Sequence, residues 1–235
     1  MPIANQEMIR DNNRRLVLEY IVNNPPVSRA DLSKHLKLTK ATISAIVQEL
    51  IQQNLIQEIG SAKTSLGRKP ILLEFNQDYG LAMSIDVRPR QILTLVSDLK
   101  GENCHVKEYP FHQEDSLFYQ LSSIIEETQK FYENAEKKII GIAVRMYGVV
   151  QTNRIIFTPY YPLPAAGLGC SLEKKLQIPV IVENEANLSV LGESAFHYGR
   201  ENMIHINVHD GIGMGILING KLYKGKDGYA GEFGH

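Results

Sequence analysis

The sequence predicts an α/β protein that begins with a winged helix-turn-helix domain. Residues 28–53 carry the periodicity of two short amphipathic helices with a tight turn between them. Two short apolar runs follow at residues 55–59 and 71–75, and the Gly- and Ser-containing segment between them is typical of a β-hairpin. From residue 79 onward, strand and helix patterns alternate, which indicates an α/β domain.

The two helices of the N-terminal domain have recognisable starting residues. Ser28 can accept a hydrogen bond at a helix N-terminus, and Asp31 favours the first turn. Thr39 can cap the second helix in the same way. The apolar residues of the second helix are spaced as a core-facing stripe: Ile43, Ile46, Val47, Leu50 and Ile51. An upstream amphipathic helix would complete a three-helix core through Ile9, Leu16, Val17, Tyr20 and Ile21.

The opposite face of the second helix begins with short and polar side chains, which suits a close approach to DNA. We expect Lys40, Thr42 and Ser44 to contact base edges. We expect four further residues to contact phosphates or the minor groove: Thr39, Lys63, Arg68 and Lys69. The alternative is an ordinary helical hairpin with a solvated face, followed by a solubilising loop.

The charge distribution favours nucleic-acid contact at one end of the chain. Residues 1–70 contain ten Lys or Arg and six Asp or Glu, whereas the remaining residues contain fifteen and twenty. The overall net charge of −1 conceals this asymmetry. A basic N-terminal domain followed by an acidic body predicts double-stranded DNA as a partner.

Composition excludes several other classes of protein. With 235 residues, 43% of them hydrophobic, the chain can form one or two packed domains. No apolar run approaches the ~20 residues that span a bilayer. The first residues also lack the apolar core of a signal peptide, so we expect a cytoplasmic protein with no membrane partner. Cys104 and Cys170 could form a disulfide, although two free thiols fit a reducing compartment better.

The second domain is predicted to contain a sheet with buried central strands. Paired strands are indicated at residues 81–87 and 92–98, and a third at 106–111. Continuous apolar runs at residues 139–144 and 180–182 predict central strands. The remaining expected elements are helices at residues 117–133, 171–176 and 186–196 and strands at residues 203–208 and 214–218, the last ending in an Asn219-Gly220 turn.

Four segments of the chain form a specific pattern when they are taken together and in this order. They are residues 67–70 (Gly-Arg-Lys-Pro), 178–187 (Ile-Pro-Val-Ile-Val-Glu-Asn-Glu-Ala-Asn) with 191–193, 211–222 (Gly-Ile-Gly-Met-Gly-Ile-Leu-Ile-Asn-Gly-Lys-Leu) and 228–235 (Gly-Tyr-Ala-Gly-Glu-Phe-Gly-His). This pattern resembles the ROK family of repressors and sugar kinases, in particular its xylose-repressor-like branch. The resemblance implies an actin-like, ribonuclease H-like sugar-kinase domain of two lobes with a sugar between them.

The resemblance also implies the organisation of the chain. It places a DNA-binding domain at residues 1–77, the first lobe at 78–200 and the start of the second lobe at 201–235. Because family repressors are longer, we expect the second lobe to be incomplete in this chain, and we expect a homodimer from the full-length protein.

Three departures from the family's kinase pattern argue against catalysis. The phosphate loop Asp-x-Gly-Gly-Thr is replaced by Asp86-Val-Arg-Pro-Arg, which lacks both glycines and has a proline without an N–H group. The second phosphate loop carries Asp210 where the family has Thr. Where the family has an Asp that deprotonates the sugar, this chain has Glu185, and the extra methylene of Glu moves the carboxylate. We therefore expect no enzymatic activity and no bound cofactor in this chain.

The residues that the family uses to hold a sugar are better preserved. The resemblance implies sugar contacts from Asn184, Glu185, Glu232 and His235. The alternative for Asn184 is helix capping after a strand. His235 is also where the family's structural zinc site begins, but the three cysteines that complete that site are not in this sequence. We expect zinc only in the full-length protein.

Three functions remain open at this point. The first is a sugar-responsive transcriptional repressor, with the helix-turn-helix as its output. The second is an ATP-dependent sugar kinase of the ROK type with an accessory DNA-binding domain. The third is a constitutive DNA-binding protein, because Arg145 and Tyr147 are bulky for a loop beside the sugar cleft.

Overall fold

The chain forms two compact units, described here from a computed structural model. The structure describes residues 2–61, 70–161, 167–208 and 211–233. The two units are Met1–Tyr79 and Gly80–His235. The sequence placed the first domain boundary between residues 77 and 78, two residues earlier. The further division between residues 200 and 201 stays a prediction.

The N-terminal unit contains three helices and a small antiparallel sheet. Its elements are α1 (Pro2–Asn23), β1 (Val27–Ser28), α2 (Arg29–Leu36), α3 (Lys40–Gln52), β2 (Ile56–Ser61) and β3 (Ile71–Phe75). The strand order is β1-β3-β2, so β3 lies between the other two strands. The sequence did not predict β1, because a strand of two residues has no periodicity of its own and exists only through its pairing with β3.

The core of the N-terminal unit confirms the apolar stripe predicted for α3. The stripe predicted for α1 is confirmed only in part, because Val17 and Ile21 are buried whereas Ile9 and Leu16 are exposed. Most of the buried apolar side chains come from these two helices, and the others come from β1, α2, β2 and β3. They are Val17, Ile21, Val27, Leu32, Ile43, Ile46, Val47, Leu50, Ile56 and Leu73. Since α3 contributes four of them on one face, its opposite face is turned away from the core.

The second unit is organised around a five-stranded sheet with strand order β10-β7-β4-β5-β6. Its elements are β4 (Leu81–Val87), β5 (Gln91–Asp98), β6 (His105–Pro110), α4 (Leu117–Phe131), β7 (Ile139–Met146), β8 (Val149–Gln151), β9 (Arg154–Phe157), α5 (Leu168–Leu176), β10 (Val180–Asn184), α6 (Glu185–Glu193), β11 (Met203–Val208), β12 (Ile212–Ile218) and β13 (Lys221–Leu222). Strands β4, β7 and β10 are parallel, whereas β5 and β6 form an antiparallel meander.

The two faces of this sheet have different coverings. Apolar side chains of α4 and α5, such as Leu121 and Leu172, pack into the core formed by one face of the sheet. Helix α6 follows β10 directly and contacts β11 and β12, which form an antiparallel hairpin. The opposite face of the sheet carries polar residues at the ends of its parallel strands. That face therefore provides the location for a polar site.

The packing between α6 and β12 depends on two glycines. A Cβ atom at Gly215 would lie 2.2 Å from the carbonyl oxygen of Ala186, and one at Gly213 would lie 2.7 Å from Glu185 Oε1. No side chain fits at Gly215 without moving the backbone of α6. Strand β12 therefore begins at Ile212, within the segment that matches the family's second phosphate loop. Its glycines at 213 and 215 permit close packing against α6.

Candidate nucleic-acid interface and ligand cleft

Helix α2 begins with a complete capping box. The backbone N–H of Asp31 donates to Ser28 Oγ at 3.2 Å, and the backbone N–H of Ser28 donates to Asp31 Oδ2 at 3.1 Å. Ser28 Oγ also donates to the same carboxylate at 2.6 Å. These hydrogen bonds lower the pKa of Asp31 below its usual value. The first helix of the helix-turn-helix is therefore fixed at its N-terminus by ionised Asp31.

The turn between α2 and α3 is short and stabilised by side chains. Lys37 ends α2 in the left-handed conformation, and Ser33 Oγ donates to the carbonyl of Leu38 at 2.7 Å. Thr39 then caps α3, since its Oγ1 accepts from the backbone N–H of Thr42 at 3.1 Å. The hydroxyls of Thr39 and Thr42 are themselves 2.8 Å apart. Both threonine side chains are thus engaged in the cap.

The face of α3 that points away from the core consists of small and polar side chains. Its exposed residues in the first three turns are Lys40, Ala41, Ser44, Ala45 and Gln48. Two alanines permit a close approach of the helix backbone, and Ser44 and Gln48 lie one turn apart with free polar groups. The sequence reasoning missed Gln48, although its i+4 spacing from Ser44 could have revealed it. A glutamine amide can pair with two atoms of an adenine edge.

Thr42 occupies a flank of α3 rather than its outward face. It is half-buried and lines a groove with Ile9, Arg10 and Asn13 of α1. Its predicted contact with base edges stays a prediction, and its hydrogen bond to Thr39 gives it a structural role. The predicted DNA contacts Lys63, Arg68 and Lys69 lie outside the described residues.

Ion pairs between α1 and α3 hold the same flank. Arg10 Nη2 donates to Glu49 Oε2 at 2.9 Å, and this hydrogen bond lowers the pKa of Glu49. Arg14 also lies near Glu49, with its Nε 3.7 Å from Oε1, and it donates a hydrogen bond to Gln53. Since Arg10 is exposed and Glu49 is partly exposed, these ion pairs contribute little to stability.

A second polar site lies where the parallel strands of the sheet end. Asp86 on β4 is the register partner of Arg145 on β7, and Arg145 is also the partner of Glu183 on β10. The carboxyl ends of parallel strands meet at one edge, so the three side chains share one row. Helix α6 begins at this edge with Glu185.

Arg145 is the centre of this row. Its Nη2 donates to Glu185 Oε2 at 2.6 Å, and its Nε lies 3.6 Å from Asp86 Oδ1. Arg88 approaches the same aspartate from the β4–β5 turn, with Nε donating to Asp86 Oδ2 at 2.7 Å, which raises the pKa of Arg88. Two cations and two carboxylates therefore neutralise one another.

Two buried atoms in this network have no hydrogen-bond partner. They are Asp86 Oδ1 and Arg145 Nε, which face each other across the 3.6 Å gap. That separation is too long for a direct hydrogen bond. A buried polar group without a partner costs ~1–3 kcal/mol. The gap is thus a local weakness in an otherwise paired cluster.

Glu185 also joins α6 to the hairpin of β11 and β12. The Asn207 amide donates both to Glu185 Oε2 and to Ser189 Oγ, the latter at 3.0 Å. His205 Nε2 lies 2.6 Å from Asn207 Oδ1. The carboxylate predicted as a weakened catalytic base is therefore occupied by a guanidinium and an amide. Both hydrogen bonds use the same carboxylate oxygen, Oε2.

Asn184 has the capping role that the sequence left as its alternative. Its Oδ1 accepts from the backbone N–H groups of Ala186 at 2.8 Å and Asn187 at 3.2 Å, and its Nδ2 donates to the carbonyl of Gly148 at 2.8 Å. One amide hydrogen is left for a ligand. The predicted sugar contact of Asn184 stays a prediction.

The other two predicted sugar residues belong to the C-terminal segment. Glu232 follows Gly231, whose carbonyl accepts from the backbone N–H of Met214 at 3.1 Å, so this part of the segment lies against β12. Glu232 is half-buried there. His235 lies outside the described residues.

Glu183 is a further buried carboxylate that the sequence reasoning did not single out, and it pairs with Lys224 and accepts from Asn187 Nδ2 at 3.0 Å.

The segment expected to replace the family's first phosphate loop is a tight hairpin turn between β4 and β5. The backbone N–H of Arg88 donates to the carbonyl of Gln91 at 2.9 Å, so this amide is already used within the turn. Pro89 contributes no N–H group. Such a turn does not present the row of free amides that a phosphate needs.

The described residues do not fit the zinc site that the family implies. They contain no group of three or more His, Cys, Asp or Glu side chains that could hold a metal ion. Cys104 and Cys170 are free and exposed thiols. The expected zinc therefore has no set of ligands among the residues described.

No helix in the same part of the chain is long and apolar enough to cross a membrane.

These features define the class of the protein: a winged helix-turn-helix unit joined to a ribonuclease H-like, sugar-kinase-like domain. Residues 82–235 match the ROK family, and residues 12–64 match the MarR family. The chain belongs to the ROK family.

Named relatives agree with this assignment. The chain is 33% identical to the xylose repressor of Bacillus subtilis, over 100% of this chain and 62% of the relative. It is 35% identical to the xylose repressor of Staphylococcus xylosus, over 99% of this chain and 62% of the relative. It thus spans about three fifths of the length of these curated relatives.

A solved structure supports the fold of both units. The chain superimposes on a ROK family transcriptional regulator, described as a homologue of the Escherichia coli MLC protein, with a TM-score of 0.82 and 29% identity. That match covers 96% of this chain and 59% of the other.

Proposed function

We propose that this chain is the DNA-binding and sugar-sensing part of a transcriptional repressor of sugar-utilisation genes. The observation that carries the proposal is the outward face of α3, where small and amide-bearing side chains stand opposite a well-packed core. Such a face fits the major groove of DNA. The relatives named xylose repressor support the same function.

The proposed signal is a neutral sugar that binds in the cleft beside Arg145 and Glu185. Sugar binding would shift the population toward a conformation in which the two winged helices of a homodimer no longer fit both half-sites of a palindromic operator. Such a protein acts in the cytoplasm, where its DNA is, and has no membrane partner. Zinc is proposed only for the full-length protein.

The non-enzymatic character is part of the proposal. Arg145 occupies the carboxylate of Glu185, and the β4–β5 turn has its Arg88 amide engaged in the turn. A kinase needs a free base and a phosphate cradle at these two positions. The competing function is an ATP-dependent sugar kinase, which is favoured only by the retention of a carboxylate at residue 185.

The test is DNA binding of the chain as a function of salt. Fluorescence anisotropy with a palindromic operator from a sugar-utilisation operon should give a sequence-specific complex whose affinity falls steeply with salt. Adding D-xylose should weaken this complex. No specific complex at moderate salt would overturn the proposal.

Two further measurements separate the alternatives. Coupled ADP release over a panel of sugars should show no turnover, and measurable turnover would favour the kinase. The Lys69→Ala variant should weaken binding to specific and random DNA alike and reduce the salt slope by about one. Specific DNA binding with no response to any sugar would favour a constitutive DNA-binding protein.

A further inference from the structure

We infer that Asp86 and Arg145 form a hydroxyl-specific subsite, at which a neutral polyol completes the hydrogen bonding of both side chains. The inference deepens the proposed function, because it assigns a chemical class to the effector and a contact residue that the family resemblance does not supply. The observation behind it is the pair of buried atoms without partners, Asp86 Oδ1 and Arg145 Nε.

The chemistry of the pair selects the group that can bind between them. Arg145 Nε carries a hydrogen and needs an acceptor, whereas ionised Asp86 Oδ1 needs a donor. A hydroxyl offers both. A phosphate oxygen offers only an acceptor, and an ammonium offers only donors. The two atoms are 3.6 Å apart, so one oxygen at ~2.8 Å from each can bridge them.

The charge of the surroundings favours an uncharged ligand. Arg88 and Arg145 balance Asp86 and Glu185, and Lys224 balances Glu183. No cation in these groups is left over to hold a phosphate. An anionic sugar would have to displace a carboxylate from one of these pairs, at the cost of leaving that carboxylate without a partner.

Access to the pair is provided by a cavity beside it. A cavity of about 560 Å³ is lined by both Asp86 and Arg145, together with Ser84, Ala143 and Ser189 on the sheet and α6. The two atoms themselves are closed off from solvent. Ligand entry therefore requires the Arg145 guanidinium to rotate, and that rotation would disturb its hydrogen bond to Glu185.

The link through Glu185 gives the subsite a route to the rest of the unit. Glu185 accepts from Arg145 on β7 and from Asn207 on β11 through the same Oε2. A hydroxyl that repositions Arg145 changes the hydrogen bonding between the five-stranded sheet and the β11–β12 hairpin. The subsite thus couples ligand chemistry to the packing of α6.

Isothermal titration calorimetry with the 235-residue chain tests the inference. The probes are D-xylose, D-glucose, their monodeoxy analogues and glucose 6-phosphate. In the wild type, removal of one particular hydroxyl should weaken binding by ~10-fold or more, since hydrogen bonds to charged groups are strong. In Arg145→Met, the parent sugar should bind weakly, and the same deoxy analogue should bind within ~2-fold of it, as expected for coupled groups. Glucose 6-phosphate should bind no better than glucose.

The weakening of binding caused by removal of that hydroxyl is the deoxy penalty. The control is Arg154→Met, which removes an exposed arginine of β9 and should leave the deoxy penalty unchanged. Arg145→Lys is a second variant, which keeps the charge but lacks the Nε–H, and the deoxy penalty should disappear in it as it does in Arg145→Met. An undiminished penalty in both Arg145 variants would overturn the subsite while leaving sugar sensing intact. Failure of the wild type to bind any probe would overturn sugar sensing together with the subsite.

Discussion

Arg145 Nη2 donates to Glu185 Oε2 at 2.6 Å, and this bond connects strand β7 to the first turn of helix α6. The side chain of Glu185 is only 10% exposed and that of Arg145 is 24% exposed, so the pair is largely shielded from water. In a sugar kinase of this fold the same carboxylate would have to accept a proton. In this chain the carboxylate of Glu185 is instead paired with the guanidinium of Arg145.

Replacing Glu185 with glutamine should destabilise the second unit. The amide keeps the shape but leaves the Arg145 guanidinium without its carboxylate, and breaking a shielded pair of this kind should cost about 2 kcal/mol. Urea unfolding followed by circular dichroism measures the loss. Glu127→Gln, which removes an exposed partner of Lys107, should leave the unfolding midpoint unchanged. Equal midpoints for wild type and Glu185→Gln would contradict the assigned role.

Replacing Gly215 with alanine should be strongly destabilising. The added Cβ would lie 2.2 Å from the Ala186 carbonyl oxygen, so α6 and β12 would have to separate, at a cost of about 1–3 kcal/mol or more. Gly192→Ala is the matched control, because nothing lies within 4 Å of its added Cβ. That variant should be as stable as the wild type or more stable, since alanine favours helix. Thermal unfolding compares the two variants, and similar midpoints would refute the packing role of Gly215.

The Ser28–Asp31 capping box should make the N-terminal unit sensitive to acid. Because the pKa of Asp31 is lowered in the folded state, its stabilisation is present above the usual value of 3.8 and is lost as the pH falls through the lower folded value. Ser28→Ala should cost about 1 kcal/mol at pH 7. The variant should also lose less stability than the wild type between pH 5 and pH 2. Parallel pH profiles, measured by urea unfolding, would argue against the capping box.

Gln48 should read base sequence. Replacing it with alanine should reduce binding to the specific operator by ~10-fold while leaving binding to random DNA unchanged. Gln113→Ala, at an exposed site of the second unit, is the control and should bind as the wild type does. Anisotropy titrations at fixed salt measure both. An equal loss on specific and random DNA would place Gln48 at the phosphates instead.

Thr42 offers a useful contrast on the same helix. The sequence predicted a base contact for Thr42, which stays a prediction, and the structure has its hydroxyl beside that of Thr39 on the flank facing α1. Helical periodicity explains this position. Residues 41, 45 and 48 lie opposite the buried stripe, while residue 42 lies at its side. The sequence located the first turn of α3, and the outward direction of that turn depends on which face the core covers.

Most elements of the second unit could be predicted from local patterns. The strands at residues 81–87 and 203–208 were placed with their observed bounds, because apolar runs and turn residues mark their ends. Strand β1 of the N-terminal unit and the early start of β12 were not predicted, and neither were the short strands β8, β9 and β13. Strand β1 exists only through its pairing with β3. The start of β12 contains glycines that allow α6 to pack closely against it.

The sequence by itself determined the two-part organisation, the helix-turn-helix and the loss of the glycine-rich phosphate loop, because these depend on residue type and spacing along the chain. Only the tertiary structure decided which charged side chains pair with one another at the ends of the parallel strands. Asp86, Arg145 and Glu185 are up to about one hundred residues apart in sequence, and their charges meet only where β4, β7 and α6 come together. Hydrogen-bonded ion pairs form only between groups that lie a few ångströms apart. Their partners are therefore fixed by the fold and are not visible in any local motif.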